Sequence, residues 1–285
     1  MSFDTPSVPE ADTVEATLTY LLDEGIRPVS YAYPAPPGIP QQTGKPEPHR
    51  VRIANARALH AAPALDTHGF QRLEHTTSLH DFRDEALIRE RYYPETDALL
   101  RRATGAEKVV IFDHTLRFDS EGHSEEGIRE PVRRVHNDQT FISAPRRVRD
   151  HLPADEAEQR LQQRFAIINV WRPIGTPAVT APLAMCDARS IAQSDLVPSD
   201  LVYRDKVGEI YSFKHNPQHR WFYFPELRPD EPLLLKIYDS RTDGIARLTA
   251  HTAFDHPATP ISAPPRRSIE LRCLVFWPAA PTTLH

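Results

Sequence analysis

Two hydrophobic rhythms run along this chain. Near its start, Val14, Leu18, Leu21 and Leu22 recur at helical spacing behind a capping pair, Asp12 with Glu15, which predicts a short amphipathic helix over residues 12–24. Residues 31–49 break the rhythm: Pro34, Pro36, Pro37, Pro40, Pro46 and Pro48 remove backbone donors and fix φ, so an extended or looped arm is expected there. Helical patterns return over 81–91 and 94–103, with Pro94 placed to start the second helix and Gly105 to end it. From there the β rhythm takes over. Strands are expected over 108–118, 132–135, 166–171, 210–214, 221–224, 233–238 and 268–276, with a surface helix over 154–164 carrying Leu161 and Phe165 on one side. A helical layer followed by many short strands implies a mainly β protein with flanking α, a sandwich or barrel with helices packed outside.

Composition narrows the function classes. At 285 residues the chain has length for one large domain, and nothing in its make-up forces a second, so 1–285 is read as one unit. A formal charge of −5 and arginines spread along the chain give no basic surface for nucleic acid. Two cysteines, Cys186 and Cys273, lie far apart and outside any CxxC pattern, which argues for a reducing compartment and against a thiolate metal site. The opening MSFDTPSVPEADT lacks a basic, then apolar, leader, and no apolar run approaches the roughly 18 residues a membrane span needs. A cytoplasmic protein is expected.

Two stretches carry candidate chemistry. In VRRVHNDQTF, His136 and Asp138 sit two apart at the end of a β-like run, where alternate residues share a face, so an imidazole and a carboxylate converge. Thr140 has the same parity and is expected to line the same cavity. A histidine from a distant strand would complete a two-histidine, one-carboxylate site of the kind that suits iron(II) and leaves positions open. His251 and His219 both qualify; His251 directly precedes the last strand, whereas another strand separates His219 from it, and His215, His256 and His114 are read as surface or loop residues. The second stretch is PPRRSIELRCLVF. Arg266 and Ser268 share a strand face and could hold a carboxylate with a guanidinium fork and a hydroxyl. Equally, Arg266, Ser268, Glu270 and Arg272 could form a water-facing row opposite a core row of Ile269, Leu271, Cys273 and Val275. In INVWRPI, Asn169 and Trp171 share a face that is expected to line the cavity, with Arg172 on the other face as an oxoacid ligand or an ion-pair partner.

The order HxD, about a hundred residues of strands, a histidine, then RxS matches the double-stranded β-helix oxygenases. The segments TLTYL, TGAEKVVIFDHTLR, VHNDQT, INVWRPI, PLAMCDARS, HNPQHRWFYFPEL, LKIYDS, ARLTAHTAF and PPRRSIELRCLVF extend the likeness over nearly the whole chain. Across these segments the chain resembles a family that holds gibberellin desaturase-like proteins, cephalosporin methoxylase accessory-like proteins and meroterpenoid endoperoxide-forming oxygenases. The resemblance implies a jelly-roll, cupin-like core with N-terminal helices outside. It further implies iron(II) held by His136, Asp138 and His251, 2-oxoglutarate as co-substrate salt-bridged to Arg266, O2 as oxidant, and a small natural-product substrate that is hydroxylated, desaturated or converted to an endoperoxide. Arg267 departs from the acidic residue expected at its position. Other readings stay open: an iron oxidase that takes all its electrons from substrate, an inactive barrel serving as a binding or accessory protein, and a zinc hydrolase. The Pro-rich arm could serve as a lid or as a homodimer contact.

Overall fold

The computed structural model describes residues 12–118 and 128–279; the leaderless reading of residues 1–11 lies outside them. The chain opens with β1 (Thr13–Leu21), β2 (Val29–Tyr31) and β3 (Pro46–Asn55), followed by α1 (Leu65–His68) and β4 (Phe70–Arg72). Then come α2 (Glu85–Leu87), a π-helical stretch Ile88–Tyr92 and α3 (Tyr93–Thr104). These are followed by β5 (Lys108–Phe118), β6 (Ile128–Arg129), β7 (His136–Asn137), α4 (Ser143–His151) and α5 (Ala154–Leu161). The rest is β8 (Phe165–Pro173), β9 (Leu183–Cys186), β10 (Leu196–Val202), β11 (Val207–Phe213), β12 (Trp221–Tyr223), β13 (Leu233–Asp239), β14 (His251–Ala253) and β15 (Arg267–Phe276).

These strands form two sheets that face one another as a jelly-roll barrel. One has nine strands in the order β1-β3-β12-β9-β14-β7-β11-β10-β2, the other six in the order β4-β13-β8-β15-β5-β6. Between them lies a cluster that includes Phe165, Ile167, Trp171, Leu233, Leu235, Leu274 and Phe276 from the six-stranded sheet and Leu183, Met185 and Phe222 from the other. Helices α4 and α5 add Ala144, Val148 and Ala157 to that cluster. The six-stranded sheet is covered outside as well: Ile168, Val170, Ile269, Leu271, Cys273 and Val275 pack with Ile88, Tyr92 and Leu100 of the helical stretch. Burial on both faces explains why β8 reads as an almost unbroken apolar run.

The helix expected over 12–24 is a strand. Ala16, Leu18 and Tyr20 are buried with a period of two, Leu21 at its end is buried as well, and its β-branched Thr13, Val14, Thr17 and Thr19 favour the pleated form. Part of the Pro-rich arm is its partner: Pro46 and Pro48 pair with Leu21 and Thr19, while β12 joins β3 only at Ile53–Asn55, so the missing proline donors interrupt no ladder on the other side. The strand expected at 132–135 is confined to a bridge at Arg134, and β7 begins at His136. The helices expected over 81–91 and 94–103 form one continuous run that starts only at Glu85, with Gly105 in the left-handed region (φ 71°) closing α3 as expected. The π-helical stretch sits where Pro94 cannot donate to an i−4 carbonyl, a common site for such a bulge.

Candidate metal centre

His136 on β7 and His251 on β14 are directly opposed across neighbouring strands, and their rings lie 4.4 Å apart between centroids. Asp138, just past the end of β7, brings Oδ1 to 3.5 Å from His136 Nε2. One ligand atom from each of His136, Asp138 and His251 falls within 4.8 Å of the other two, and no other such group occurs among the described residues. His136 Nδ1 is engaged by the Arg134 carbonyl at 2.8 Å, which fixes the ring and leaves Nε2 facing the cluster. His251 is buried, and its Nδ1 has no hydrogen-bond partner.

The electrostatics suit a cation. Burial, and then the neighbouring His136, press the His251 pKa down to about 4, so its ring is neutral and ligand-ready at physiological pH. Burial alone would raise the Asp138 pKa, but Arg272 and the two histidines outweigh it and hold the carboxylate well below its usual range. Its Oδ2 accepts from Asn169 Nδ2 at 2.8 Å and Arg272 Nε at 3.0 Å. Two imidazoles and a fixed carboxylate form the donor set that fits non-haem iron(II), with positions left for other ligands.

Next to the cluster is a narrow cavity of about 20 Å³ lined by Arg117, Trp171, Arg266 and Glu270 on one side and Val132, Leu183 and Ala253 on the other. The expected Arg266 lies here: buried, 5.4 Å over the Trp171 ring, with Nη1 donating to the Ala181 carbonyl. Ala181 takes a left-handed conformation (φ 41°), which costs an alanine about 1–2 kcal/mol, and it does so at the residue whose carbonyl meets this guanidinium. Ser268 is buried on the same face, its hydroxyl 3.4 Å from the Arg117 carbonyl. Larger hollows of about 310 Å³ each lie elsewhere, around Phe141 and Arg247 and around His68 and Asp187, away from any ligand set.

Several expectations are corrected. Arg172 points away from the cavity, where Tyr92, the His75 and Pro229 carbonyls and the His75 ring take four hydrogen bonds from it, so it joins β8 to the outer helices and holds no oxoacid. Thr140 does not line the cavity either. Its hydroxyl accepts from the backbone of Ile142 and Ser143 and bonds Glu209, closing the turn into α4. Asn169 shares the inner face with Trp171 as expected, but it bonds Asp138 and Glu270. His219 is engaged by Asp195 at 3.0 Å and Tyr20 at 3.2 Å, apart from the cluster. Glu270 and Arg272 escaped the sequence reading as site residues. Their even parity with Arg266 and Ser268 was the available signal.

Comparisons with known proteins agree with this geometry. The family model described as an oxidoreductase/YMDC permease-like domain matches residues 18–276. The chain is 36% identical over 255 residues to a hydroxylase/desaturase, CTB9, of Cercospora beticola, covering 82% of this chain and 78% of that one. It is 38% identical over 248 residues to a Fe(II)/2-oxoglutarate-dependent dioxygenase, nvfI, of Aspergillus novofumigatus, covering 84% and 87%. Among solved structures, the iron and alpha-ketoglutarate-dependent endoperoxidase NvfI superposes with a TM-score of 0.85 at 33% identity, over 94% of this chain and 99% of that one.

Proposed function

Since this chain belongs to the family of Fe(II)/2-oxoglutarate-dependent hydroxylases, desaturases and endoperoxidases, we propose that it oxidises a C–H bond of a small natural-product scaffold at the His136–Asp138–His251 centre. The observation that carries this reading is the two-histidine, one-carboxylate cluster, with His251 buried and His136 and Asp138 partly so, opening onto a cavity that contains Arg266. When bound, iron(II) and 2-oxoglutarate supply the oxidising power, with O2 consumed and succinate and CO2 released.

The protein's own residues bind, orient and exclude water. Arg266 offers its fork, and Ser268 a hydroxyl, to the carboxylate of the oxoacid remote from the metal. Val132, Leu183 and Ala253 form the apolar wall against which the substrate carbon is held, and Ala253 and Leu183 are cross-strand partners, so that wall is rigid. Hydroxylation, desaturation and endoperoxide formation need the same ligands and differ in how this wall holds the substrate.

Arg266→Ala is expected to raise the 2-oxoglutarate concentration for half-maximal turnover by roughly tenfold to a hundredfold, the value of one charge-assisted contact of about 1.5–3 kcal/mol. Succinate formation at varied 2-oxoglutarate measures it; an unchanged requirement would move the anchor to Arg117. The core test is succinate production from 2-oxoglutarate by the iron-loaded protein in air, absent without iron.

The same reading takes residues 1–285 as one domain acting in the cytoplasm on a small molecule, without nucleic acid. A net charge of −5 and two buried free cysteines support it. No helix among the described residues is long and apolar enough to cross a membrane. A homodimer belongs to the reading as well, and sedimentation measures it.

A further inference from the structure

Asp138 belongs to one sheet, yet both groups bonding its outer oxygen come from the other. Asn169 on β8 and Arg272 on β15 are directly paired, and Arg272 is in turn paired with Asp113 on β5. Asn169 and Arg272 face into the barrel, and Asp113 stands at the exposed end of the row. The Asn169 amide and Arg272 Nε meet at Asp138 Oδ2, at 2.8 Å and 3.0 Å, while among the described residues Oδ1 has the His136 ring alone, at 3.5 Å.

Neither donor is free to swing. Asn169 Nδ2 also donates to Glu270 Oε1 at 2.8 Å, and Glu270 Oε2 lies 3.5 Å from Arg272 Nη2. Arg272 Nη1 is held by Asp113 at 3.1 Å and Thr115 at 2.9 Å. The guanidinium is therefore aimed from β5 and β15 together, and the amide from β15.

Resting on the function proposed above, we propose that Asn169 and Arg272, backed by Glu270, are positioning residues that occupy Oδ2 of Asp138 so that the carboxylate offers a metal Oδ1 alone. His136, Asp138 and His251 would hold the metal and leave room for the oxoacid and O2, and a carboxylate whose Oδ2 is already taken by Asn169 and Arg272 would not compete for that room. Outer partners of this kind also fix the direction of the ligand, and their loss lowers metal affinity about 10–100-fold.

The test is titration of metal-free protein with Mn(II), followed by loss of the free-ion electron paramagnetic resonance signal, alongside the ligand-field absorption of the Co(II) form. Arg272→Gln alone strands buried carboxylates, so two other variants decide the matter. Asn169→Ala removes no charge, and E270Q/R272Q removes one of each sign. Each is expected to keep the wild-type circular dichroism, to bind Mn(II) about 10–100-fold more weakly, and to shift the Co(II) bands, with Arg272→Lys recovering part of the affinity. A purely structural role would leave the Co(II) bands in place. Wild-type uptake that His136→Ala abolishes, combined with wild-type affinity and bands in both folded variants, overturns this proposal alone. Failure of the wild type to take up Mn(II) overturns the functional reading, and the proposal with it.

Discussion

His251→Ala is expected to fold, to retain no iron through desalting, and to turn over 2-oxoglutarate about a thousandfold more slowly or less. Loss of an outer partner of a metal ligand typically costs about 10–100-fold, and loss of the ligand itself must exceed that. The fold survives because the ring, though buried, faces a second imidazole at 4.4 Å and has the Thr249 backbone as a polar neighbour outside the cluster, so its removal strands no other side chain. Metal analysis and succinate assays check the loss, and thermal melting of the metal-free protein checks the fold. Wild-type iron content in this variant would mean that a different group supplies the third ligand. His219 would not be that group while Asp195 and Tyr20 hold it.

The second large effect is on stability. Lys236 and Asp239 on β13 are both fully buried and 3.0 Å apart, and Arg164 adds a 2.8 Å contact to the same carboxylate. Asp66 on α1 bonds both cations from a half-exposed position. Asp239→Ala therefore leaves a buried ammonium with only a partly solvated partner, and breaking a buried pair in this way costs about 3–5 kcal/mol. At roughly 2–4 °C per kcal/mol for a chain of this size, the melting temperature should fall by about 10 °C. Asp66→Ala, at the wet end of the network, should cost about 1 kcal/mol or less. Equal shifts for the two variants would show that burial does not set the worth of this network.

What could be read from the residues, and what could not, follows from what periodicity encodes. Alternation tells which residues share a face, and this was enough to pair His136 with Asp138 and to put Ile269, Leu271, Cys273 and Val275 in the core between β15 and the helices. It does not tell whether the other face meets water or the inside of a barrel. Arg266, Ser268, Glu270 and Arg272 read equally well as a solvated row, and the structure turns that row inward, where Arg266 enters the cavity and Arg272 reaches Asp138. Residues 12–24 show the opposite ambiguity. Leu18 and Leu21 fit a helical stripe and are buried in the strand as well, so the outcome rests on pairing with β3 thirty residues on, which no local pattern contains. Arg172 was misplaced because β8 is covered on both sides, so an arginine on its outer face finds carbonyls and a tyrosine instead of water. Thr140 kept the parity of the ligands only as far as Asp138, beyond which the chain turns into α4.

The most direct test of the metal and co-substrate assignment is made without oxygen. Iron(II) and then 2-oxoglutarate are added to the anaerobic protein, and the visible spectrum is recorded for the weak metal-to-ligand charge-transfer band of an iron-chelated 2-oxoacid. A band in the wild type that vanishes in His136→Ala and His251→Ala, and needs more 2-oxoglutarate to appear in Arg266→Ala, is the predicted result. A folded, iron-loaded wild type that shows no band at saturating 2-oxoglutarate would contradict it.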